Sequence, residues 1–168
     1  MVTTRMPLQQ CRDLLERVGF GRLACARENQ PYIVPTYFAY EPDRDHLYGF
    51  ATMGRKIEWM RLNPLVCVEA DEMLNPQNWA SVIALGRYEE LSNMPEFSKE
   101  RNHAQSLLAK RSLWWQPGYA ASRARGRRNA ASAILYRIHI EEMTGVRASP
   151  DEAEKASRAN QGSIRKYV

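Results

Sequence analysis

Two adjacent cations, Arg55 and Lys56, follow a Thr52-Met53-Gly54 turn and open a short helical stretch that Asn63-Pro64 terminates. Thr52 and Gly54 suit a helix start. For the helix itself positive charge is misplaced there, because the macrodipole disfavours cations at an N-terminus. It becomes useful when an anion rests on the exposed N–H groups and both side chains close over it. A phosphate is the natural candidate; a surface helix whose first turn happens to be basic is the other reading of the same residues. No Ser-His-Asp or Cys-His set accompanies the pair. Cys11, Cys25 and Cys67 each lie among apolar residues and lack CxxC spacing. That pattern favours reduced, buried thiols over a zinc site or a disulfide frame.

The elements that must position these residues belong to one domain of 168 residues, long enough to bury a core. A hydrophobic content of 44% with 26% charged residues is ordinary for a soluble globular chain. No apolar run approaches the ~20 residues of a membrane helix. The N-terminal MVTTRMPLQQC has no continuous apolar stretch of the signal-peptide kind, so a cytoplasmic location is expected. The net charge of +5 is concentrated in one knot, Arg123, Arg125, Arg127 and Arg128. A small Ala/Ser-rich basic loop reads as solvated, and no helix-turn-helix or RNA-binding signature supports nucleic acid as a partner.

Leu8, Cys11, Leu14, Leu15 and Val18 recur at helical spacing, predicting a helix over 7–18 that Gly19 ends. Six strands are expected, over 20–26, 31–40, 46–51, 65–71, 79–91 and 131–146. Residues 73–78 read as a connection, Gly86 as a bend, and 95–110 as a helix with Phe97, Ala104, Leu107 and Leu108 inward. The second strand, PYIVPTYFAY, is apolar or aromatic on both faces, so one face is expected to line a core and the other to be covered by a ligand or a second subunit. Pro35 lacks an N–H and is expected to interrupt the ladder, unless this is a bulged edge strand. The fold class is therefore mainly β (α+β): a six-stranded antiparallel barrel with short peripheral helices, closed so as to leave no edge. Residues 1–148 form this domain, and 149–168 a polar tail containing the helix-forming DEAEKASRA.

The run GRLACARENQPYIVPTYFAYEPDRDHLYGFATMGRKIEWMRLNPLVCVEADEM, then WASVIALGRYEEL, then YRIHIEEMTGV resembles the pyridoxamine 5'-phosphate oxidase-like flavoproteins with the FMN-binding split barrel, nearest the nitroimidazole-resistance branch. The resemblance spans residues 8–147; PYIVPTYF, GRK at a helix head, LNP at its end and WASV carry it as a set. It implies a homodimer with two FMN sites, each built from both subunits. Carried over, Arg55 and Lys56 match the pair on the FMN phosphate, with Thr52 in the turn beside it. Val34, Pro35, Thr36 and Tyr37 match the strand along the isoalloxazine ring, and Phe50 and Ala51 the next strand end. Trp79, Ser81 and Val82 match the segment approaching the ribityl-phosphate side.

Two departures bear on function. The nitroimidazole-resistance proteins carry a histidine where this chain has Gly49, which makes nitro reduction a loose analogy. The Arg-rich C-terminal substrate segment of the vitamin-producing oxidases is missing from the tail, which ends RKYV. The expected function is an FMN-dependent oxidoreductase on a small molecule, with NADH or NADPH as candidate donor. A non-catalytic flavin or haem binder is the alternative, and a deazaflavin is a further family-level cofactor. For haem, His46 at a turn, His103 on a polar helix and His139 on the less apolar strand face offer no convincing axial ligand. Trp114 and Trp115 are candidates for an aromatic wall over the ring, given by the second subunit, or for a hydrophobic plug. Arg123 to Arg128 would guide an anionic substrate to the mouth or serve solubility alone.

Overall fold

The structure, a computed structural model, describes residues 1–111 and 133–150. Trp114, Trp115, the Arg123 to Arg128 knot and the tail from 151 onward lie outside the described residues. The chain runs β1 (Val2–Arg5), α1 (Leu8–Val18), β2 (Phe20–Arg27), β3 (Gln30–Tyr37), β4 (Ala39–Glu41), β5 (His46–Ala51), α2 (Arg55–Leu62), β6 (Leu65–Asn75), β7 (Asn78–Glu90), a single 3-10 turn (Pro95–Phe97), α3 (Ser98–Ala109) and β8 (Ile134–Ser149). Cys11, Leu14 and Leu15 form the buried stripe of α1. Gly19 ends that helix in the left-handed region at φ 62°, its N–H donating to the Leu15 carbonyl. Glu28 and Asn29, both at positive φ, make the two-residue β2–β3 turn whose twist suits a hairpin.

Among the described residues eight strands join one antiparallel sheet, ordered β3-β2-β6-β7-β8-β5-β4, with β1 added to the end of β8. The two outer strands of that order are consecutive in the chain. Expected as one strand over 31–40, the segment breaks at Phe38: β3 pairs with β2, β4 with β5. The Phe38 N–H still reaches the Gly19 carbonyl at 3.0 Å, so the break falls at the last rung of the β2–β3 ladder. The sheet is thus barrel-like without closing by hydrogen bonds, and one chain segment spans the split. The expected class, a mainly β antiparallel split β-barrel with short peripheral helices, holds; the count of six strands and the full closure of its edges are corrected.

Three further expectations are corrected. β1 went unpredicted because VTTR has no apolar pattern and is fixed only by pairing with β8. Residues 73–75 continue β6 rather than connect, and Asn75 accepts from the Gln77 N–H at 2.9 Å to turn the chain into β7. Pro35 does not interrupt the ladder. It pairs with Arg22, and Pro31 with Ala26, at positions where an antiparallel strand directs its N–H away from its neighbour. β3 is an edge there, so both prolines remove donors from an open edge. Gly86 does mark an irregularity: the β7–β8 register shifts between Leu85 and Gly86, and a Cβ on Gly86 would strike the His139 carbonyl.

The main core fills the barrel, where Leu23, Val68, Val82, Ile57, Met60 and the α1 stripe meet. A second cluster, Ala39, Tyr48, Leu91, Ala104, Leu108 and Leu135, lies between α3 and the outer side of the β4–β5–β8 edge. Among the described residues no helix is long and apolar enough to cross a membrane.

Candidate functional site

α2 presents an uncapped head. Its first residues follow Gly54, and no side chain among the described residues caps it. The Gly54 carbonyl receives the Ile57 and Glu58 N–H groups, which leaves the donors of the first turn directed out of the helix. Gly54 sits at φ 172°, extended backbone open to any residue, and a Cβ there would meet none of the described residues within 4 Å. Neither backbone nor packing calls for glycine, so the space it leaves open suits a group outside the chain. Asn63 fixes the other end of α2, donating from Nδ2 to the Ala26 carbonyl at 3.0 Å and accepting from the Leu65 N–H.

Lys56 is half-buried beside Cys25, and burial pushes its pKa below the usual lysine value. It has no carboxylate partner among the described residues. Most of the arginines there are ion-paired, for instance Arg12 with Asp45 and Arg61 with Glu90. A cation held out of water without a counter-ion is costly, and an anion bound at the helix head would relieve that cost. Arg55 is exposed, with its guanidinium 5.4 Å from the centroid of the Tyr32 ring, which in turn lies 5.5 Å from Trp59. That contact holds Arg55 on the β3 side of the helix head. Tyr32 was absent from the expected set, although it stands two residues before Val34 in the same PYIVPTYF run.

Along β3, leading away from Tyr32, Val34 and Thr36 face the barrel while Pro35 faces out, as does Ile33, 62% exposed. Thr36 is buried, its hydroxyl 3.3 Å from that of Tyr136, and Tyr37 stacks obliquely on Phe20. At the end of β5, Ala51 faces inward, Phe50 packs with the cluster beneath α3, and Thr52 is exposed. The exposed surface there runs from Arg55 and Tyr32 at the α2 head along outward-facing Ile33 and Pro35 of β3, while Thr36 and Ala51 lie buried and Phe50 packs beneath α3.

Trp79, Ser81 and Val82 are not part of that surface in a single chain. Val66 of β6 pairs with Cys25, beside Lys56, whereas Ala70 pairs with Val82. Four residues of strand, about 13 Å, and two strand spacings therefore separate the groups. Trp79 and Ser81 face outward from the barrel; Val82 is fully buried and offers a ligand no side chain. Gly49 has a definite reason to lack a side chain: a Cβ there would lie 2.5 Å from Cζ and Oη of Tyr136, its cross-strand partner. Tyr136 fills the place where a histidine side chain would begin.

The cysteines are free; burial raises the pKa of all three. Among the described residues no group of His, Cys, Asp and Glu is arranged to hold a metal.

Residues 7–147 match the family model of pyridoxamine 5'-phosphate oxidase. An uncharacterized protein of Rhizobium meliloti is 38% identical over 147 residues, which cover 88% of this chain and 96% of that protein. The crystal structure of an FAD-binding protein from Mesorhizobium loti is 42% identical with a TM-score of 0.72, covering 89% of this chain and 100% of that one. A candidate 5-nitroimidazole antibiotic resistance protein from Bacteroides thetaiotaomicron shares the fold at 21% identity and a TM-score of 0.62, covering 86% of this chain and 87% of that one.

Proposed function

This chain belongs to the pyridoxamine 5'-phosphate oxidase family, and from that premise we propose that it binds a flavin through its FMN portion and acts as an oxidoreductase on a small molecule. The half-buried, carboxylate-free Lys56 at the uncapped head of α2 carries this reading. Lys56 and Arg55 neutralise the flavin phosphate, and the first N–H groups of α2 donate to it. Gly54 lets that phosphate approach the backbone. Val34 to Tyr37 run beneath the ring, where the outward carbonyls of Ile33 and Pro35 are not used by the β2 ladder. Phe50, Ala51 and Thr52 border the same surface.

The wide separation of Trp79 and Ser81 from Lys56 within one chain supports a site completed by a second copy. The outer face of the sheet supports the same arrangement: Ile33, Ala24, Cys67 and Leu85 are successive cross-strand neighbours over β3, β2, β6 and β7. Leu65 at 53% and Leu85 at 41% exposure lie on that face, an apolar surface of the kind that marks association. In a two-fold dimer one copy brings the α2 head and the β3 edge, and its partner brings Trp79 and Ser81.

Bound flavin supplies the redox chemistry, while the chain supplies position, charge and access. Anaerobic mixing of the flavin-loaded protein with NADH or NADPH tests the enzymatic part. Bleaching of the flavin absorbance, restored by a small-molecule acceptor, is expected. A flavin that neither donor reduces contradicts these donors and favours a binder.

A further inference from the structure

Thr36 carries a hydroxyl into an apolar core. It is 7% exposed, faces the barrel near the end of β3, and stands opposite Gly21 of β2. Valine would fill the same volume without burying a polar group, so the hydroxyl is explained by what it bonds. That partner is Tyr136 of β8, also buried, hydroxyl to hydroxyl at 3.3 Å. The ring of Tyr88 backs Tyr136 at 5.5 Å, but its own hydroxyl donates to Glu90. Among the described residues Tyr136 therefore has Thr36 as its hydrogen-bond partner.

The place of this bond in the sheet gives it a task. In hydrogen-bonded order β3 and β8 stand well apart, with β2, β6 and β7 between them. The other way round, only β5 and the split lie between. β4 pairs with β5 from His46 to Tyr48, so among the described residues Gly49, Phe50 and Ala51 have β8 on one side and no strand on the other. The Tyr136 ring lies over Gly49, in the space a Cβ would take, and its hydroxyl ends at Thr36. A side chain based on β8 reaches past β5 and holds an edge strand that has β2 as its one ladder partner.

We propose that Tyr136 is a positioning residue of the site: its hydroxyl clasps Thr36 across the split and fixes the spacing between Val34 to Tyr37 on β3 and Phe50 to Thr52 at the end of β5. The proposal rests on the flavin reading above, in which these two stretches border one ring. A rigid planar ring is bound best when its flanks are already held at their working separation, and pairing with β2 alone leaves β3 free to swing. Gly49 belongs to the same arrangement, since a side chain there displaces the clasping ring. Burial pushes the Tyr136 pKa up, so the phenol keeps its proton through neutral and mildly alkaline pH.

Calorimetric titration of the flavin-free protein with FMN tests the clasp. Tyr136→Phe and Thr36→Val are each expected to weaken FMN roughly three- to tenfold, and the double variant no further than either alone. Thr36→Ser, which keeps the hydroxyl, should bind close to wild type. The visible bands of the bound flavin should shift in Tyr136→Phe, because the strand beneath the ring is no longer held. A lowered melting temperature with FMN affinity and bands unchanged would make the bond a matter of stability alone and overturn the proposal. Losses that add in the double variant overturn it as well. Wild-type protein that binds no flavin overturns the underlying reading instead, and amide exchange in the flavin-free protein then decides the clasp. Faster exchange at Thr36 and Phe38 in Tyr136→Phe retains it; equal protection removes it.

Discussion

Lys56 concentrates the consequences of the site in one side chain. Its depressed pKa has burial as its main cause, against a smaller opposing effect of Cys25. Flavin affinity is therefore expected to fall as pH climbs through that depressed value, because only the ammonium form attracts phosphate. Stability of the flavin-free protein moves the other way. Between the depressed value and the ordinary 10.5 the unfolded chain holds a proton that the folded chain has shed, so stability rises with pH there. Lys56→Gln should weaken flavin binding about 10- to 100-fold without lowering the melting temperature of the flavin-free protein. Equal affinity in calorimetric titration would remove the phosphate from this helix. Gly49 gives a purely steric case: Gly49→Ala forces its methyl into Tyr136 and should cost about 1–3 kcal/mol in urea unfolding. An unchanged midpoint would mean the ring moves freely. The Arg55-Lys56 pair was legible in the sequence because its charge opposes the helix dipole. The role of Tyr136 was not, since 87 residues separate it from Gly49 and only strand register joins them.

At the scale of elements, α3 is tied to the sheet by a polar cluster that holds all three histidines. The buried Tyr48 hydroxyl donates toward Glu100 at 2.6 Å, with Glu41 at 3.0 Å and His46 Nδ1 at 3.3 Å. His103 of α3 meets Glu41 at 2.7 Å, Arg44 and Arg137 pair with Glu100, and Arg137 also pairs with Glu89. His139 stands opposite His46 on the neighbouring strand, the rings 5.2 Å apart, with Asp45 paired to Arg12 beside them. Burial first, then Arg137, His139 and Arg44, hold the His46 pKa below the ordinary 6.5. Its contribution is complete above 6.5 and is lost as pH falls through the depressed value. Glu100 and Asp45, both held below their usual carboxylate values, hold until more acid conditions. Amide exchange in α3, corrected for intrinsic rates, should be faster at pH 5 than at pH 7.5; equal protection would show that the cluster does not govern docking. The histidines looked unrelated in sequence, at positions 46, 103 and 139, for want of any local pattern. Periodicity did place the inward residues of α3, Ala104, Leu107 and Leu108, against the sheet. It misread β3–β4 as one strand because the break at Phe38 is set by a change of partner, which no local pattern records.

For the whole molecule, the proposed dimer makes cofactor retention depend on assembly, because its seam would lie on the apolar outer face and its site would be divided between copies. Leu85→Asp, on the exposed side of β7, should give a monomer by light scattering that releases flavin on dilution. A flavin-retaining dimer in that variant would place the seam elsewhere on the sheet. The most direct test of the central claim is the visible spectrum and extracted cofactor of the purified protein, beside those of Arg55→Ala/Lys56→Ala. The wild type is predicted to carry or take up flavin with its two visible absorption bands, and the double variant to be colourless yet folded and of unchanged mass in solution. Wild-type protein that takes up neither FMN nor FAD, or a double variant that binds flavin equally well, would contradict it.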